Sequence, residues 1–220
     1  MTKTNSPGIT TYRFIGSITV LLALVVQLYL IISNVHPGGP GYVQEIIRYF
    51  SYMTIWSNIV VAMAFFFPLF FPSSRLSFFI DKPIVQGGLL VYIFVVMLLN
   101  HFFLAGIVRF TGMQWVVDRF LHYIIPVLYI VFWIFYGKKG RQEYSNCIRW
   151  LIFPLIYILY VLIRGAIIDQ YPYPFIDVTE LGYAVVLRNS VLIGVVYVIV
   201  GLIFIIIDKR LRKTEIAGGS

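Results

Sequence analysis

Residues able to do chemistry are few in this 220-residue chain, of which 60% is hydrophobic and only 12% charged. They gather in four places. Ser51, Thr54, Ser57 and Asn58 share one helical face, at i−3, i+3 and i+4 from Thr54. Asn100 and His101 are adjacent. Asp118 stands four residues before His122, a spacing that lets a carboxylate meet an imidazole across one helical turn; at the head of an apolar run, Asp118 equally suits a helix cap. Arg188 lies inside another apolar run, followed by Asn189 and Ser190. Hydroxyls in such runs bond their own i−4 carbonyls or pair helices. A histidine near a run's end can rest its ring at the interface. An arginine inside a run needs a carboxylate, for which Asp169, Asp177 and Glu180 are at hand, or an anionic ligand. Three histidines without H-x-x-x-H spacing or a carboxylate cluster fall short of a zinc site. Phosphate-binding loops and a G-x-S-x-G elbow are absent from the sequence. His101 and His122 could ligate a haem, but nothing else points to one, so no metal and no cofactor is expected.

The elements that must hold these groups follow from hydropathy. A mean hydropathy of +0.89 excludes a soluble enzyme, a disordered chain and a disulfide scaffold, the last also because Cys147 is the single cysteine. A bilayer core takes about 20 apolar residues per helix. Six runs qualify, roughly 13–33, 48–71, 84–107, 119–136, 149–168 and 183–207. None reads as a cleaved signal peptide. The expected fold is all-α: one six-helix transmembrane domain over 1–212 and a flexible tail over 213–220. Pro126 and Pro154 interrupt the hydrogen-bond ladders of the fourth and fifth runs, and Pro126 frees the carbonyl of His122.

Twelve Lys and Arg fall in the N-terminus, the second and fourth loops and the tail, against four on the other side (Arg48, Arg109, Arg119 and Arg164). That asymmetry predicts a multi-pass protein of the cell membrane with both termini cytoplasmic. The net charge of +8 then faces anionic lipid headgroups at the cytoplasmic surface rather than nucleic acid. With this orientation Thr54 lies about 9 Å inside the second helix, at 1.5 Å per residue from Arg48. His101, His122 and Arg188 reach comparable depth on the third, fourth and sixth helices. The expectation is a polar pocket in the outer half of the bundle.

Three stretches, in this order, carry a likeness. They are the second run around Thr54, the His122-Tyr-Ile-Ile-Pro126 sequence, and Tyr171-Pro172-Tyr173-Pro174-Phe175-Ile176-Asp177 before the sixth run. Together they resemble the androgen-induced protein family, which includes the androgen-dependent TFPI-regulating protein and bacterial six-span relatives. The resemblance covers most of the chain. It implies an intramembrane hydrolase of fatty-acid esters of hydroxy fatty acids, with Thr54 matching the nucleophile and His122 the histidine. Around Thr54 the chain departs from the mammalian pattern, reading Met-Thr-Ile-Trp-Ser-Asn, so Ser57 competes as nucleophile.

On this reading His122 is the general base, and the pair must approach within about 3–5 Å. Ser57, Asn58, Asn100, His101 and Arg188 are the substrate-binding or oxyanion candidates, and the partner is a membrane lipid or fatty-acid ester. The alternative is a non-enzymatic lipid-binding or transport protein, in which Arg188 and His122 hold an anionic headgroup and Thr54 pairs helices.

Overall fold

The computed structural model describes residues 6–107 and 109–218, with side chains up to 212. Lys3 lies outside the described residues, as do the side chains of Lys213 and the rest of the expected tail. The elements are α1 (Pro7–Ser33), α2 (Tyr42–Tyr49), α3 (Met53–Phe70), α4 (Arg75–Ile80), α5 (Pro83–Leu99), α6 (Gly112–Arg119), α7 (Ile125–Tyr136), α8 (Asn146–Arg149), α9 (Ile152–Ile168) and α10 (Val178–Gly218). π-helical turns follow α5 (Asn100–Leu104) and join α6 to α7 (Phe120–Ile124); a 3-10 turn spans Pro174–Ile176. The fold is all-α, without a strand among the described residues.

Six helical spans are long and apolar enough to cross a membrane: Pro7–Ser33, Met53–Phe70, Pro83–Leu104, Gly112–Tyr136, Asn146–Ile168 and Val178–Arg212. This is the architecture of a multi-pass membrane protein. Several starts differ from the hydropathy reading; the first comes at Pro7 rather than near 13. The second span begins at Met53, because the chain breaks over Phe50–Tyr52 after the separate helix α2. The fourth begins at Gly112 rather than near 119, with Thr111 at its N-cap. Asp118 is therefore inside α6 and caps nothing.

The chain groups into two compact units, residues 1–141 and 142–220. In the first, α1 packs along α3. Gly16 allows the close approach, since a Cβ there would stand 2.7 Å from Phe65 Cδ2. Around this contact the rings of Tyr12, Phe65, Tyr129, Phe132 and Tyr136 pack at centroid separations of 5.2–6.3 Å. Aromatic pairs at such spacings contribute beyond their buried area. Tyr49, ahead of the second span, donates its hydroxyl to Leu24 O at 3.0 Å and ties α2 to α1. Burial pushes that hydroxyl up to about 12, which keeps it a donor.

Arg13 is only 3% exposed, and its guanidinium donates to Asp81 Oδ1 at 2.7 Å while lying over the Phe132 ring. Removing one partner of a buried pair strands the other charge and costs about 3–5 kcal/mol, whereas replacing both by apolar groups is often neutral. Asp81→Asn should therefore lower the thermal midpoint in detergent clearly, and Arg13→Met with Asp81→Leu should recover most of the loss. An Asp81→Asn protein as stable as the parent would show that the pair contributes nothing.

In the second unit, Asp169 ends α9 in the left-handed region at φ 52, its N–H donating to Gly165 O at 2.8 Å. Asp177 Oδ1 caps the next helix, accepting the N–H groups of Thr179 (3.0 Å) and Glu180 (3.4 Å). Gly182, at φ 73 and ψ 158, breaks α10 after its first turn, a conformation only glycine adopts freely. The continuous apolar helix thus begins at 183, where hydropathy placed it.

Candidate active site

The geometry around Thr54 begins with its place at the start of a helix. Thr54 is the second residue of α3, so the residue four earlier, Phe50, lies outside the helix. The Phe50 carbonyl accepts the Trp56 indole N–H at 2.7 Å. Thr54 Oγ1 lies 3.0 Å from His122 Nε2. That distance is inside the 3–5 Å interval the hydrolase reading requires.

His122 is positioned by an irregular backbone. It sits in the π-helical turn Phe120–Ile124, immediately before Pro126. Pro126 cannot donate to His122 O, and π-turns commonly absorb such a lost bond. Ile125 N–H donates to Phe120 O, one residue further back than in an α-helix. The carbonyl this releases to a neighbour is Leu121 O, which accepts Asn58 Nδ2 at 3.2 Å; the same Nδ2 donates to Thr54 O at 2.8 Å. Asn58 therefore staples the start of α3 to the turn that carries His122.

The other imidazole nitrogen fixes the tautomer. His122 Nδ1 is 2.9 Å from Asp118 Oδ1 and 3.1 Å from Asp118 O. Both are acceptors, so Nδ1 carries the hydrogen and Nε2 presents its lone pair to Thr54, whose hydroxyl donates. Thr54, His122 and Asp118 form one directional chain, hydroxyl to imidazole to carboxylate. Arg119 flanks it, with Nε 4.0 Å from Asp118 Oδ2 and its guanidinium held against Trp115 and Tyr123 at 5.5 and 5.1 Å. The line is mostly buried: Thr54 is 7% exposed, and the His122 and Asp118 side chains 13% and 11%.

The remaining candidates divide. Ser57 and Asn58 are fully buried on the Thr54 face. Ser57 Oγ makes no hydrogen bond to a described residue, and the imidazole that competing nucleophiles need is engaged by Thr54. Asn100 is buried at the head of the π-helical turn after α5, its Nδ2 without a partner among the described residues. His101 is exposed and faces Tyr123, whose hydroxyl is 3.4 Å from its Nδ1, apart from the buried line.

Arg188 meets none of the carboxylates offered for it. It is exposed, forms no ion pair among the described residues, and donates to Asn189 Oδ1 at 3.4 Å. Asp177, one of the expected partners with Asp169 and Glu180, is committed to its helix cap. An arginine on an exposed helix face can stretch its apolar stem along the surface without a carboxylate.

Asp118 is the group the sequence placed least well. Its i, i+4 spacing to His122 was the legible signal, and the cap reading competed with it because Gln114, Asp118 and Arg119 lower the hydropathy of α6. Compared with family models, curated proteins and solved structures, the chain matches none.

Proposed function

We propose that this protein is an intramembrane hydrolase of lipid esters, of the type that joins a fatty acid to a hydroxy fatty acid, with Thr54 as nucleophile and His122 as general base. The observation that carries this reading is the hydrogen-bonded line Thr54–His122–Asp118, with the imidazole lone pair toward the hydroxyl. The resemblance to the androgen-induced protein family points the same way. Such a site accepts an ester whose chains stay in lipid.

In the first half-reaction Thr54 Oγ1 bonds to the ester carbonyl carbon while its proton passes to Nε2 of His122. Asp118 holds Nδ1–H and stabilises the imidazolium. The oxyanion forms at the first turn of α3, where the helix dipole is positive. Collapse expels the alcohol, which takes the proton from Nε2, and leaves Thr54 acylated. Water then reverses these roles and releases the fatty acid.

The Lys and Arg distribution supports a cell-membrane location with both termini cytoplasmic, anionic headgroups facing the basic side. The test is hydrolysis of a long-chain ester of a hydroxy fatty acid by the purified full chain in detergent. Acid and alcohol should appear in equal amounts. Release no faster than in a protein-free micelle would overturn the proposal.

A further inference from the structure

Two buried atoms on the Thr54 face of α3 lack a hydrogen-bond partner among the described residues: Ser57 Oγ and Asn58 Oδ1. Both residues are at 0% exposure. Exchanging the amide ends of Asn58 does not relieve this. Its Nδ2 already faces two carbonyls, Thr54 O at 2.8 Å and Leu121 O at 3.2 Å, and an oxygen in that place would meet two acceptors. Oδ1 is therefore the orphan, and it can only accept. The Ser57 hydroxyl can donate or accept.

Their placement matters as much as their chemistry. Ser57 and Asn58 follow Thr54 by three and four residues, so they lie one turn further along its own face. The Asn58 amide bridges to Leu121, the residue before His122. Native interiors commonly satisfy such buried polar atoms with an internal water that has two to four protein partners. A mostly buried site within a membrane span also needs a source of water for its second half-reaction.

We propose that Ser57 Oγ and Asn58 Oδ1 hold an internal water between α3 and the π-helical turn, and that this water attacks the acyl group on Thr54. The role rests on the hydrolase reading; the hydration site does not. The water donates to Asn58 Oδ1 and accepts from the Ser57 hydroxyl. In the step itself its oxygen bonds to the acyl carbon as one of its protons moves to His122 Nε2. The tetrahedral intermediate then breaks its bond to Thr54 Oγ1, and the proton on Nε2 passes to that oxygen. Acyl-threonine and water become fatty acid and free threonine, with no other reactant.

The experiment follows pre-steady-state release of p-nitrophenolate from a long-chain p-nitrophenyl ester by the full chain in detergent. Ser57→Val removes the hydroxyl and fills its space. It should keep the rapid burst while slowing the steady state about tenfold, or ~1.4 kcal/mol, with the acyl adduct on Thr54 accumulating by mass spectrometry. Ser57→Ala, which leaves room for the water on Asn58, should lose less. A folded Ser57→Val protein with unchanged steady-state turnover, or with burst and turnover falling together, would overturn the inference. Should Ser57→Val fail to fold, the wild-type chain crystallised from a lipidic phase decides: density between Ser57 Oγ and Asn58 Oδ1 supports the site, and its absence overturns it. A wild-type chain that shows this density but no burst overturns the hydrolase reading and the water's role in it. A burst without the density overturns only this inference.

Discussion

Thr54→Ala and His122→Ala should each reduce ester turnover to near the uncatalysed background, a loss of roughly 10⁴-fold or more. The double variant should be no worse than either single one. Nucleophile and base act as one unit, since the proton leaving Oγ1 passes to His122 Nε2, 3.0 Å away. Thr54→Ala should leave the melting temperature nearly unchanged, because a single hydrogen bond contributes about 1 kcal/mol net. Thr54→Ser should retain part of the activity, the hydroxyl remaining while the methyl that fixes its rotamer is lost. A threonine that only joins helices predicts the opposite pattern: stability falling first, and any activity following it.

The second large effect concerns Asp118. Asp118→Asn should lower kcat by about 10²–10⁴-fold with little change in KM. The lower end of that range has a structural reason. The backbone carbonyl of Asp118 also faces His122 Nδ1, at 3.1 Å, so the tautomer survives in part when the carboxylate is gone. What is lost is the negative charge that stabilises the imidazolium. Asp118→Ala should therefore resemble Asp118→Asn rather than greatly exceed it. Unchanged kcat in a folded Asp118→Asn protein would reduce Asp118 to a packing role.

The spans were legible because lipid demands long apolar runs; their ends were not. At the second span the break falls at Phe50–Tyr52, where no glycine or proline marks it. At the fourth, the polar residues of α6 hid a helix that reaches back to Gly112. Face and spacing along α3 placed Thr54, Ser57 and Asn58 together, since helical periodicity is a local property. The π-helical turn was only half legible. Pro126 signalled a disturbed carbonyl at His122, but the bond that Asn58 captures is at Leu121, set by how the whole turn rearranges. The carboxylate expected beside Arg188 was not legible for a different reason: the rule that an arginine inside a span needs one assumes an inward face, and periodicity in an almost wholly apolar helix does not say which face that is.

The most direct test of the account is the site of covalent modification by a long-chain fluorophosphonate, mapped by mass spectrometry on the intact chain and its peptides. One adduct per chain is expected, on Thr54, absent from Thr54→Ala and strongly slowed in His122→Ala. An adduct on Ser57, or labelling that persists at full rate in Thr54→Ala, would contradict it.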